Sequence, residues 1–349
     1  MAIILLKRGI NMIVNSIKDN PEVRTYQYNA YLEAILYNHL DYKEWLYSNY
    51  VQVVYLPEDQ CNVSLDYEAP TIYGGCPLIE YQDFAIKDNK SLFLESINDN
   101  LQKGKYIYLF LDEYYVPERG SFGKCHFVHD ILIYGMDKQS KTYLVIGYNS
   151  EFVFVKSQID FEACYQGFVN NEDHIYMKAV TLKRDTYSMK EEVLKIMLED
   201  YLYGRNSKEH LDLYIDMSTY CSPFFDCRKQ LSSSFGVKVY DQYIKDVIEC
   251  SKQNLEIDYR ISYLLYEHHQ LMRNRVLYLQ DKGVIKKDLK LVQTADDIVR
   301  RTKQLVNISL KSLYVKEKKV LCERLIEILV ILEKIDCKFI SDIIHLWNH

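Results

Sequence analysis

Chain breakers are scarce in this sequence. Of 349 residues only 12 are Gly and 6 are Pro, which leaves little room for disordered linkers and implies a chain compact throughout. Long apolar runs are missing as well. The opening MAIILLKRGINMIVNSIKDN carries only Ala2 to Leu6 before Lys7, too short and wrongly flanked for a signal peptide or a membrane span, so a cytoplasmic protein without membrane attachment is expected. Positive charge is not in excess: 43 Lys and Arg against 49 Asp and Glu leave a net charge of -6. Neutralising phosphates needs a basic surface, so nucleic acid is not an expected partner. The nine Cys include no CxxC pair, and an odd number without an export signal reads as reduced thiols, mostly core packing. No repeat period or low-complexity tract is visible, which excludes a solenoid.

The composition that remains, 48% hydrophobic and 26% charged, is that of a soluble protein. The 32 Tyr would suit an aromatic-lined cleft; half-buried strand and helix positions in a biased composition account for them more simply.

The pattern along the chain predicts an α+β fold, with a helix and an antiparallel sheet in residues 1–185 and an all-α domain in 186–349. AYLEAILYNHL at 30–40 spaces Leu32, Ile35, Leu36 and Leu40 as one buried helix face. VQVVYL at 51–56 and YIYLFLDEYY at 106–115 read as strands flanking a helix at 91–102. HDILIYGMDKQSKTYLVIGYN at 129–149 reads as a hairpin whose first strand is closed by Gly135, followed by a strand EFVFVK at 151–156. From about residue 187 helical periodicity takes over, in SMKEEVLKIMLEDYLYG through EKKVLCERLIEILVILEKI.

KCHFVHDILIYG is the most informative segment, because it sets His129 at the mouth of a buried strand. A hairpin turn near Gln139 puts residue 129 across from residue 149 or 150, where Asn149 can orient the imidazole. Cysteine acyl-transfer sites use such a pair to take a thiol proton. The thiol belongs at the first turn of a helix, where unpaired amides and the dipole favour thiolate. In YQYNAYLEAIL that position is Ala30, with Gln27 and Asn29 beside it, together with the residue 30 amide, as oxyanion donors.

The run NAYLEAIL resembles the NCYL-type helix start of the butirosin-biosynthesis H-like family, papain-fold proteins related to the peptidase domains that process bacteriocin leaders. LDEYYVPERGSFGKCHFVHDILIYGMD is similar to that family's block of an Asp, paired aromatics and a Pro, then two histidines leading into an apolar strand and a Gly. FGVKVYDQYI and DYRISYLLYEHHQLMRNRVLYL look like its helical C-terminal region. The resemblance implies a papain-like N-terminal half and an amide-forming acyltransferase of thiotemplated, closthioamide-type assembly. A cysteine would take an acyl group from an acyl or peptidyl carrier protein and pass it to an amine acceptor. No cofactor is expected beyond the phosphopantetheine that carries the substrate. Ala30 departs from the pattern: it reads either as a substituted catalytic cysteine, which keeps substrate bound without reaction, or as the mark of a naturally inactive binding homologue. A cysteine peptidase or amidase on the same scaffold is the rival enzyme reading.

Other residues carry alternatives. Asp112, Tyr115, His126 and Tyr148 are candidates for binding substrate, with Tyr134 and Tyr143 as further channel positions subject to strand parity. His126 could exchange roles with His129. His126 and His129 with Cys125 lack a fourth ligand, so no metal is expected. Cys76 in TIYGGCP is an alternative nucleophile or, more simply, a half-buried structural thiol. His268 and His269 fall on a long helix and read as solvated or hydrogen-bonded. Lys103, Lys105, Arg119 and Lys124 are expected to form a basic patch facing an acidic carrier protein. The apolar-striped helices near the C-terminus could supply a homodimer face.

Overall fold

Strand β5 (Tyr106–Asp112) is buried at every position, as its unbroken apolar run demands of a strand covered on both faces. It is central to a seven-stranded antiparallel sheet in the computed structural model, which describes residues 12–56, 64–84, 89–171, 177–209, 211 and 233–348. The N-terminal apolar stretch before Lys7 lies outside the described residues.

The first of two compact units comprises residues 1–42 and 76–187. Its sheet runs β4 (Ile79–Phe84), β9 (Met177–Leu182), β5, β6 (Val128–Asp137), β7 (Thr142–Tyr148), β8 (Phe154–Asp160), with β1 (Met12–Val14) pairing the far end of β6. Period-two alternation sends Ile107, Leu109 and Leu111 of β5 and Ile131 and Ile133 of β6 to one face. There they form a core with Phe93, Ile97 and Leu101 of α3 (Lys90–Gln102) and Phe168 of α4 (Phe161–Val169). Tyr31 of α1 (Gln27–Leu36) packs edge-on against Tyr108, a residue of the opposite parity, and against Phe154. The sheet is thus layered between α1 and the α3/α4 pair.

Buried Glu33 ties α1 to the segment before it. Its carboxylate accepts from Lys18 (2.9 Å), the Glu22 and Val23 amides (2.8 and 2.6 Å) and the Tyr42 hydroxyl (2.5 Å).

Three sequence expectations shift here. The early helix begins at Gln27, three residues before Ala30, and ends at Leu36, so Leu40 is fully exposed rather than part of its buried face. Gly135 does not close β6; it marks a bulge where β1 pairs alongside, and a Cβ there would lie 2.5 Å from the Ile13 carbonyl. Residues 151–153 form a turn, with Phe152 at φ +58°, so β8 starts at Phe154.

The second unit comprises residues 43–75 and 188–349. It is mainly helical: α5 (Glu191–Tyr203), α6 (Val239–Gln253), α7 (Tyr259–Lys282), α8 (Leu289–Ser312) and α9 (Lys319–His345). It is not purely helical, because β10 (Ser234–Phe235), β2 (Val53–Tyr55) and β3 (Leu65–Tyr67) make a small antiparallel sheet within it. β2 lies within VQVVYL, which reads as a strand, whereas β3 and β10, of three and two residues, are too short to announce themselves by alternation. Buried Arg275 of α7 donates to the carbonyls of Tyr47, Asn49 and Tyr50 (2.9, 2.6 and 3.2 Å), satisfying acceptors where the chain leaves α2 (Tyr42–Ser48). No helix among the described residues is long and apolar enough to cross a membrane.

Candidate functional site

Antiparallel pairing of β5 with β6 sets Leu111 opposite His129 and Asp112 opposite Val128, so the acidic end of one strand meets the histidine-bearing start of the other. His129, with a side chain 37% exposed, stacks on Phe127 at 5.3 Å. Its Nδ1 lies 2.6 Å from Gln27 Nε2, 3.6 Å from Glu113 Oε1 and 3.8 Å from Asp130 Oδ1. Burial pushes the Glu113 carboxyl up from its usual range, against the lowering pull of His129 and Arg119.

Gln27 is fixed by its surroundings. Its Oε1 accepts the Tyr148 N–H at 3.3 Å, and its Nε2 donates to the Asp130 carbonyl at 2.7 Å and to Asp130 Oδ1. Tyr108 holds the other Asp130 oxygen at 3.0 Å, and the Tyr31 hydroxyl donates to the Asp130 carbonyl at 3.2 Å. An N–H can only donate and a carboxylate can only accept, so this network orients the amide and leaves Nε2 facing the imidazole. Nε2 thus has two hydrogens and three neighbours, the two Asp130 oxygens and His129 Nδ1, and that Nδ1 also lies within 4 Å of the Glu113 and Asp130 carboxylates.

Ala30 sits one helical turn from Gln27 on the same face of α1 and is fully buried. Its N–H bonds to the Tyr26 carbonyl at 3.2 Å, so the residue 30 amide is engaged within the helix and is not the open oxyanion donor that the sequence suggested. Asn29 is buried beside it.

The expected Asn149–His129 pair does not form. β6 and β7 pair Leu132 with Ile146, which continued along the ladder puts 149 opposite 129, yet Asn149 Oδ1 accepts the amides of Glu151 and Val153 (3.0 and 2.9 Å). A short carboxamide closes on its own backbone in a turn more readily than it reaches across a strand pair. The group facing His129 Nδ1 is Gln27.

Asp112 is buried. Its Oδ2 is 2.6 Å from His126 Nδ1, and its Oδ1 accepts the amides of Tyr114 and Phe127, each at 3.1 Å. His126 stacks on Tyr114 and tilts toward Tyr115. Tyr148 turns its hydroxyl to the Arg24 carbonyl, so what it gives the site is backbone. Tyr143 is a core residue whose hydroxyl donates to Asn98 at 3.2 Å, and Tyr134 lies under Lys156; parity and distance along the strands take both away from His129.

The expected basic patch is not assembled. Arg119 is 5% exposed and donates to the Tyr148 carbonyl; a Cβ on Gly147 would meet its Nη2 at 2.6 Å and the Tyr31 hydroxyl at 2.8 Å. Lys103 and Lys105 precede β5, about 20 Å along the strand from Asp112, while Lys124 is exposed near the histidines. Cys76 is buried and its thiol is pushed up to about 12 by desolvation, which removes it as a nucleophile. Cys125 is exposed. In the second unit His268 and His269 are both buried rather than solvated; His269 Nε2 lies 2.7 Å from the Tyr240 hydroxyl. Among the described residues no cluster of three or more His, Cys, Asp or Glu could hold a metal ion.

Glu113 and Asp130 are site residues that sequence reasoning missed, and Arg119, expected on a surface patch, is instead buried behind the site. The acids at the two strand ends were the available signal: pairing YIYLFLDE with HDILIYG brings Glu113 and Asp130 to His129, while Asp112 goes to His126. No family model matches the chain, and no curated protein matches it.

Proposed function

We propose that this chain takes an acyl group, presented as a carrier-protein thioester on phosphopantetheine, at the His129 end of a papain-like first unit. With Ala30 in place of a cysteine, no acyl-enzyme forms. The observation that carries this reading is the Gln27–His129 contact at 2.6 Å, with residue 30 one turn further along the same helix face. That arrangement supports a scaffold in which a helix N-terminus faces an imidazole, the geometry cysteine acyl transfer needs. The family resemblance of NAYLEAIL and of the block around His129 points the same way, and an amine is the acceptor it implies.

The test restores the thiol. Ala30→Cys protein mixed with acyl-loaded carrier protein should gain the mass of the acyl group at residue 30, and wild-type protein should gain none. Titration of wild type with S-acetylpantetheine should still show saturable binding. No mass gain on the variant together with no binding to wild type rejects the reading. If the variant acylates and then yields free acid in preference to amide when an amine is present, the chain belongs with cysteine amidases instead.

A further inference from the structure

Strands β6 and β7 separate at the His129 end. They pair only as far as Leu132 and Ile146. Two positions on, the Gln27 carboxamide stands between them, accepting the Tyr148 N–H at 3.3 Å and donating to the Asp130 carbonyl at 2.7 Å. A side-chain amide wedged there serves both strands as an inserted peptide group would, so the strand ends are held apart. They are tied instead to the segment between β5 and β6. The Ser150 N–H donates to the Glu118 carbonyl at 2.8 Å, Arg119 holds the Tyr148 carbonyl, and the Glu113 N–H donates to the Phe127 carbonyl at 2.8 Å.

Exposed apolar side chains collect on these parted ends. Among the described residues the exposed phenylalanines are Phe122, Phe127 and Phe152, at 46%, 49% and 75%, and Val153 is 47% exposed. All four lie in the two segments that Glu118 and Ser150 join. Phe127 stacks on His129 at 5.3 Å, so whatever covers that ring lies against the imidazole. Phe152 is held at φ +58° in the turn that Asn149 closes, a costly backbone state for a bulky residue and one that gathers where a ligand is clamped. The exposed charges of the same segments, Glu118, Lys124 and Glu151, give no basic excess for an anionic bilayer or an acidic partner. An uncharged apolar group is the occupant this surface fits.

Resting on the reading that this site takes a thioester, we infer that its acyl group is an apolar chain of several carbons, lying on Phe127, Phe152 and Val153 with its carbonyl end toward His129. Selectivity then follows from covered area. Each buried methylene favours the longer chain about 4-fold, and a rim open to solvent covers two or three of them, so an eight-carbon chain should outbind acetyl roughly 20-fold.

The experiment titrates the full wild-type chain calorimetrically with S-acetylpantetheine and with S-octanoylpantetheine. Wild type should bind the octanoyl thioester about 20-fold more tightly. Phe152→Asn, which suits left-handed backbone, and Phe127→Ser should each lower that ratio at least about 3-fold with acetyl binding unchanged. Leu40→Ser, which removes a fully exposed apolar side chain elsewhere, should keep the ratio. Equal affinity for the two thioesters overturns the inference, and so does a ratio that both phenylalanine variants retain or that Leu40→Ser lowers as far. Failure of wild type to bind either thioester rejects the underlying reading, and the inference with it.

Discussion

Gln27 and His129 stand 102 residues apart in sequence and 2.6 Å apart in space, Nε2 to Nδ1. The contact ties the imidazole to the first turn of α1, because Gln27 is itself held by Asp130 and by the Tyr148 amide.

Replacing Gln27 with Leu removes that donor and leaves Asp130 Oδ1 without its partner. Loss of a hydrogen bond to a buried charged group costs about 1–3 kcal/mol, so the urea midpoint should fall accordingly. The ¹⁵N shifts of the His129 ring should also change between wild type and variant, because the atom nearest Nδ1 has gone. Unchanged shifts would mean that Gln27 does not contact the imidazole.

Gly147→Ala should destabilise by about 1–3 kcal/mol, because its Cβ would lie 2.6 Å and 2.8 Å from the Arg119 nitrogens and 2.8 Å from the Tyr31 hydroxyl. Arg119 holds the Tyr148 carbonyl, and the Tyr148 N–H holds Gln27. The substitution should therefore also disturb the His129 signals, whereas Gly120→Ala, with nothing within 4 Å, should leave them alone.

Glu33→Ala should cost about 1–3 kcal/mol, the usual consequence of leaving buried donors without their acceptor. It removes the acceptor of the Glu22 and Val23 amides and leaves half-buried Lys18 with the Tyr42 hydroxyl and Glu22. Thermal unfolding measures it, and a shift of under one degree would exclude the anchoring role.

Stability should fall on acidification below about pH 6.5, the unfolded histidine value. Desolvation holds His268 well below its ordinary pKa, and His269 is lowered too. The folded state thus stays neutral while the unfolded chain takes up protons, and stability is lost as pH falls through the unfolded value. At pH 5.5 each histidine costs about 1.4 kcal/mol if its folded pKa lies lower still. Asp336, raised by burial, acts in the opposite sense: its contribution is full below about pH 3.8 and is lost as pH rises. Urea midpoints between pH 5.5 and 7.5, compared for wild type and His268→Phe, should show a smaller slope in the variant.

Thiol labelling separates Cys125 from Cys76. N-ethylmaleimide at pH 7, followed by peptide mapping, should modify exposed Cys125 and spare Cys76, whose thiol is buried and pushed up to about 12. Rapid labelling of Cys76 would reopen it as a nucleophile.

The position of His129 near the start of β6 was legible because a long apolar run must be a buried strand, and a polar residue at its mouth must lie at a sheet end. Residue 149 was placed across from residue 129 by counting, yet its side chain went elsewhere: register is a property of the backbone ladder, whereas a carboxamide chooses between its own turn and a neighbour at similar cost. Arg119 read as a surface charge because nothing local reveals that Gly147 and Tyr31 close over it. The β10 strand of the second unit escaped notice because two residues carry no period.

Sequence alone determined the elements: apolar runs, helical spacing and turn residues dictate local backbone, since each depends on neighbours a few positions away. It also determined that residue 30 is an alanine. What His126 and His129 each face was decided only by the fold, because Gln27, Asp130 and Asp112 are brought there by α1 and by the β5–β6 pairing. A ring nitrogen's partner is its nearest donor or acceptor in space, and those neighbours exist only after the chain has closed.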